Sequence, residues 1–240
     1  MKTLLDTPRL RVRVAEPPAP AAAGDAAPPA AILCFTGIGH AIGGIDVQSE
    51  EFLRASASAT ALFVVDKTRS WGNHIDWAAL REAVAPHIAG RTLHTLGNSM
   101  GGFLAILATR FFEVDVAVAF APQYSVHPEQ MPDEHRWDDY VQGIRRWRWP
   151  SLDGAFQART RYYVLAGVGG ADDAHLARFP VLPNLHKLWF RDPGFQHHVA
   201  QRLKQEGCLY EVIARCLQGQ APEALRDGPL GAPAWGCHLG

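Results

Sequence analysis

Residues 92–112 read TLHTLGNSMGGFLAILATRFF, and the order of residue types in them decides the fold class. Residues 92–96 form a short apolar run of strand type, and residues 100–112 carry a helical pattern. Between them stands Gly97-Asn98-Ser99-Met100-Gly101-Gly102, which contains G-x-S-x-G. With 22 glycines in 240 residues the pattern alone arises by chance about 0.06 times, so its context matters more than its letters. A strand, a sharp turn and a helix in succession lift a serine hydroxyl above the end of a sheet. They also set a helix N-terminus, with its N–H groups and positive dipole end, beside the reacting oxygen. Glycines two residues before and after the serine leave room for the close chain approach this turn requires.

Outward from this turn, short apolar strands alternate with helical patterns. Strands are expected over residues 31–35 (AILCF), 61–65, 114–120, 161–166 and 185–190, with an edge strand over 9–15. Helices are expected over residues 46–58 with Asp46 as N-cap, 76–88, 197–204 and 210–217. Such alternation predicts an α/β protein, a mostly parallel central sheet flanked by helices. Residues 1–218 read as one domain with a small helical cap inserted at about 123–160. Tyr140, Ile144 and Trp147 fall on one face of a helix starting near Asp138. The Pro/Ala-rich stretch 17–30 and the tail 219–240 read as loosely ordered.

Composition narrows the function classes. Lys plus Arg is 23 and Asp plus Glu is 24, a net charge of -1, which argues against nucleic acid or anionic lipid as a partner held by bulk charge. No apolar run approaches the roughly 18 residues of a membrane span. Arg9, Arg11 and Arg13 stand where a signal peptide needs an apolar segment, so a cytoplasmic location is expected. Four cysteines without C-x-x-C spacing give neither a disulfide scaffold nor a metal site, and no metal or nucleotide cofactor is implied.

The runs Phe35-Thr36-Gly37-Ile38-Gly39, Gly97 to Gly102 and Ala119-Phe120-Ala121-Pro122-Gln123 resemble the α/β-hydrolase superfamily, and in particular a bacterial branch of it. The resemblance covers most of residues 31–217 and implies the α/β-hydrolase fold. It also implies a chain order of serine, acid, histidine. Ser99 is then the nucleophile. Asp172 is the acid by the spacing Gly169-x-x-Asp172, with Asp173 open as the alternative and Asp192 a weaker one in a turn. His197, two residues before Val199, is the base, with His198 as the alternative. The oxyanion hole falls to the N–H groups of Met100 and Ile38, with Gly37 next, in a Thr36-Gly37-Ile38-Gly39 loop that resembles His-Gly-x-Gly with threonine in place of histidine.

Substrate contacts are expected from residues that follow strands on the same sheet edge: Gln123, Tyr124, and the cluster Asp66, Lys67, Arg69, Trp71, Asn73 and His74. The insertion adds Trp147 and its neighbouring arginines, which suit a carbohydrate or anionic group. The expected activity is cleavage of a carboxylic ester or thioester through an acyl-enzyme, on a small-molecule or glycan-linked acyl substrate. An acyltransferase using the same residues and a catalytically silent binding module stay open beside it. Oligomeric state is not legible in the sequence.

Overall fold

The computed structural model describes residues 1–17, 30–42 and 45–240. In chain order its elements are β1 (Lys2–Asp6), β2 (Leu10–Ala15), β3 (Ala30–Phe35), β4 (His40–Ile42), β5 (Ile45–Val47), β6 (Thr60–Asp66), α1 (Trp77–Ile88), β7 (Thr92–Asn98) and α2 (Met100–Leu107). There follow β8 (Val116–Phe120), α3 (Asp138–Val141), β9 (Arg161–Gly167), α4 (Asp173–Leu176), β10 (Leu185–Phe190), α5 (Val199–Gln205), α6 (Leu209–Leu217), α7 (Pro222–Asp227) and β11 (His238–Leu239).

The described residues place nine strands in one sheet, in the order β1-β2-β6-β3-β7-β8-β9-β10-β11. The run from β6 to β10 is parallel throughout, and β1, β2 and β11 join antiparallel at its two ends. The parallel strands are buried on both faces, which is why they read as continuous apolar runs. Alternate residues serve opposite cores. Leu33, Phe35, Leu62 and Val64 pack with α1 and α2, while Ile32, Cys34, Ala61 and Phe63 pack with α5, α6 and α7. In α1, Trp77, Leu80 and Val84 form the buried face, and Asp76 caps the helix by accepting from Ala78 N–H and Ala79 N–H.

Four expectations need correction. Residues 10–15 are not the edge strand, because β1 pairs outside them. Residues 46–58 are not one helix: Ile45 and Val47 favour extended backbone in β5. Phe52, at φ 58, separates this strand from a short 3₁₀ turn at Leu53–Ala57. The inserted segment holds a single helical turn, α3, instead of a longer amphipathic helix. It is otherwise a set of loops pinned by side chains, such as Asn73 Oδ1 accepting from Arg148 N–H and Trp149 N–H at 2.7 and 2.8 Å. The tail is ordered. It carries α7 and then β11, which pairs with β10, and Trp235 packs edge-on against Phe195 with ring centroids 5.4 Å apart. The Pro/Ala-rich stretch lies, over residues 18–29, outside the described residues.

Candidate active site

The turn between β7 and α2 explains its own sequence. Ser99 has φ 56 and ψ -123, a strained conformation for a residue with a side chain. Its N–H donates to Phe120 O at 2.8 Å, so strand β8 holds the turn in place. A Cβ at Gly97 would lie 2.0 Å from Gly101 O, and one at Gly101 would lie 2.2 Å from Phe35 O. Both positions therefore require glycine, because backbone occupies the space a side chain would need.

Ser99 Oγ lies 2.8 Å from His197 Nε2, and His197 Nδ1 lies 2.8 Å from Asp172 Oδ2. An ionised carboxylate only accepts, so Nδ1 carries the proton and Nε2 is left to accept from the serine hydroxyl. Asp172 is at the start of α4, beyond β9. His197 sits in a short 3₁₀ turn beyond β10. These two loops meet because Gly167, at the end of β9, has no side chain: a Cβ there would lie 2.3 Å from Gln196 N. Phe195, stacked on Phe190 at 4.3 Å between centroids, anchors the turn from beneath.

The alternatives named from the sequence lie elsewhere. Asp173 closes its own loop by accepting from Gly169 N–H at 3.0 and 3.1 Å. Asp192 accepts from Gly194 N–H at 2.7 Å in a tight turn. His198 borders the cavity, but among the described residues it makes no bond to Ser99 or Asp172. The Gly37 N–H is engaged by Glu51 Oε1 at 3.1 Å, so it is not the second oxyanion donor in this arrangement. Gln48 Nε2 donates to Gly37 O at 3.0 Å, and Arg69 Nε donates to Ile38 O at 2.9 Å. In a trans peptide the N–H points away from the carbonyl, so the Ile38 N–H faces away from Gln48.

Of the expected substrate contacts, Gln123 instead touches Ser99. Its Nε2 donates to Ser99 Oγ at 3.0 Å, and its Oε1 accepts from Trp71 Nε1 at 3.2 Å. An indole N–H only donates, and that fixes which way round the amide sits. Trp71 is fully buried, so it orients Gln123 and does not reach the cavity. Arg69 holds the loop at Ile38 and lies over the Tyr140 ring. Tyr124 is buried, with its hydroxyl on Asp153 at 2.6 Å. Trp147 packs against His127, away from Ser99. Asp66 accepts from Thr68, Ser70 and Gly72, Lys67 pairs with Asp6, and Asn73 and His74 border a separate arginine-lined pocket.

The structure adds a partner that the sequence did not single out. Arg136, from the inserted segment, donates from Nη1 to Asp172 Oδ1 at 2.8 Å. Its other nitrogens bind Glu134, and Glu134 Oε2 meets the fully buried His175 at 2.8 Å. Burial raises the Asp172 carboxyl, but the His197 and Arg136 contacts outweigh it and hold the group below its usual range. Burial acts the same way on Glu134, and the bonds from His175 and Arg136 bring it down to about 2.

Ser99 and His197 open onto a cavity of about 920 Å³, whose wall includes Gly37, Ile38, Glu51 and Trp137. Burial pushes the Glu51 carboxyl up to about 7, offset only in part by the Gly37 N–H. Among the described residues, no group of three or more His, Cys, Asp or Glu side chains is arranged to hold a metal ion. No helix among them is long and apolar enough to cross a membrane.

No family model matches the sequence, and no curated protein matches it. Solved structures match in shape. Est1E from Butyrivibrio proteoclasticus is 14% identical, with a TM-score of 0.54 over 86% of this chain and 94% of its own. A protein of unknown function from Staphylococcus aureus is 12% identical, with a TM-score of 0.54 over 88% and 94%. The capsule O-acetyltransferase of Neisseria meningitidis serogroup A is 14% identical, with a TM-score of 0.50 over 72% and 75%. The parallel sheet with its strand order, the strained serine between β7 and α2, and these likenesses lead to one structural conclusion: the chain has the α/β-hydrolase fold.

Proposed function

We propose that this chain is a serine hydrolase that cleaves a carboxylic ester or thioester, carried by a small molecule or a glycan, through an acyl-enzyme. The observation that carries the reading is the unbroken line of hydrogen bonds from Ser99 through His197 to Asp172. His197 Nε2 takes the hydroxyl proton as Ser99 Oγ attacks the carbonyl carbon. Asp172 steadies the imidazolium that forms. The N–H groups of Met100 and Ile38 receive the negative charge on the carbonyl oxygen. Collapse breaks the bond to the leaving oxygen or sulfur, and His197 returns its proton to that atom. A water molecule then gives a proton to His197 and attacks the acyl carbon. Collapse of the second intermediate releases the carboxylic acid and restores the Ser99 hydroxyl.

Acyl transfer to an alcohol is a second reading, suggested by the O-acetyltransferase that shares the fold. It uses the same acyl-enzyme and differs only in what replaces water.

A fluorophosphonate probe tests the common step. It is expected to label the native chain and to leave Ser99→Ala unlabelled. Absence of labelling, together with no turnover of an ester and thioester panel, overturns the reading in favour of a silent binding module. Product analysis with an added alcohol separates hydrolysis from transfer.

A further inference from the structure

The carboxyl groups around the site are well provided for, with one exception. Glu50 carries Arg11 and Arg13, Asp172 carries His197 and Arg136, and Glu134 carries Arg136 and His175. Asp66 accepts five hydrogen bonds from residues 68–72. Glu51 has the single bond from Gly37 N–H to Oε1. Among the residues whose side chains the structure describes, no hydrogen bond reaches its Oε2 and no lysine, arginine or histidine pairs with it.

Glu51 is also fixed in place. The next residue, Phe52, is in the left-handed region at φ 58, and its ring stacks on Phe120 at 6.0 Å. The carboxyl is thus held on the wall of the cavity that contains Ser99 and His197. Among the described residues, a lysine and an arginine border the same cavity but are placed otherwise. Arg54 lies over the Tyr210 ring at 4.8 Å, and Lys204 stands on an exposed part of the rim. A carboxyl withdrawn from water costs free energy unless something meets it. Here the chain supplies one neutral N–H, and Glu51 stands on the wall of the cavity that also holds Ser99 and His197.

We infer that Glu51 is a specificity-determining residue that pairs with an ammonium group, so that the cavity takes esters carrying a positive charge on one limb. The inference rests on the serine hydrolase reading for its use in turnover, but the binding it requires does not.

Two measurements test it on the full chain at pH 8. In calorimetry, n-butylammonium is expected to bind the native protein at least about tenfold more tightly than Glu51→Gln, and n-butyrate is expected to bind neither. In turnover, 2-(trimethylammonio)ethyl acetate is compared with its uncharged isostere 3,3-dimethylbutyl acetate. The matched 4-nitrophenyl esters with the charge on the acyl limb, 4-(trimethylammonio)butyrate and 5,5-dimethylhexanoate, form the second pair. In at least one pair the native chain is expected to favour the cationic ester by about tenfold in kcat/KM, and Glu51→Gln to bring that ratio near one. The ratio cancels any loosening of the Gly37 loop, which affects both esters alike. Butylammonium binding that is absent or unchanged in Glu51→Gln overturns the inference, as does tighter binding of butyrate. A preference that is missing in both pairs, or that survives the substitution, does the same. If no ester turns over and no probe labels Ser99, the hydrolase reading fails while calorimetry still decides the role of Glu51.

Discussion

Arg136 Nη1 and His197 Nδ1 each donate to one oxygen of the Asp172 carboxylate, both at 2.8 Å. Arg136 thus shares the Asp172 carboxylate with His197. A second positive charge on Asp172 competes with the imidazolium for the same negative charge.

Removing that charge has a signed consequence. In Arg136→Met, Asp172 serves His197 alone and holds its cation more firmly. Fluorophosphonate labelling of Ser99 at pH 8 is expected to quicken by about threefold, because Asp172 then meets the forming imidazolium with its full charge. Glu134 and Asp172 lose a shared partner, so stability is expected to fall by about 2–3 kcal/mol in urea titration. Arg136→Lys is expected to recover part of both effects. An unchanged labelling rate would show that the guanidinium has no electrostatic influence on the histidine.

Gln123 tests the orientation of the serine hydroxyl. Its amide N–H donates to Ser99 Oγ, which leaves the hydroxyl proton pointing at His197. A carboxylate in place of the amide would accept that proton and turn it away. Gln123→Glu is expected to lower the labelling rate by more than about a hundredfold, and Gln123→Met by about tenfold. Equal losses would mean that the amide merely fills space.

The glycines divide into two kinds. Gly101→Ala sets a Cβ 2.2 Å from a backbone oxygen, and neither chain can yield. Loss of more than about 4 kcal/mol, or failure to fold, is expected. At Gly90, with φ +70, no atom lies within 4 Å, so Gly90→Ala bears only the conformational penalty of about 1 kcal/mol. Thermal melts by circular dichroism rank the two.

Glu51 gives a pH dependence. Its folded carboxyl holds a proton up to about pH 7, against 4.5 for the ordinary group. The stability this contributes is complete below pH 4.5 and is lost as pH rises through 7, by up to about 3 kcal/mol. Glutamine keeps an acceptor for the Gly37 N–H and does not ionise. Glu51→Gln is therefore expected to be more stable than the native chain at pH 8, with the difference vanishing near pH 4.5. Parallel denaturation curves at both pH values check this.

The elbow was legible because its requirements are local. Glycines, strand and helix all lie within residues 92–112, and the backbone contacts at Gly97 and Gly101 act over the same short span. Chain order also led to Ser99, Asp172 and His197, which the fold joins by hydrogen bonds across 98 and 25 residues. The other roles depend on contacts with no local pattern. Trp71 and Gln123 are 52 residues apart, and Arg136 and Asp172 are 36 apart. Placing polar residues at strand ends located them on the right edge of the sheet without showing which way they face. The tail misled because its helix and strand are short and gain their order from packing on β10, which no periodicity in residues 219–240 reveals.

That tail has a reach beyond the sheet edge. Trp235 O accepts from the N–H groups of Arg191 and Asp192, and the Trp235 ring packs on Phe195, two residues before His197. Trp235 and its neighbours thus brace the loop that carries His197. A protease nick or a bulky fusion that frees them from β10 would draw His197 away from Ser99, from a point on the chain outside the described lining of the cavity.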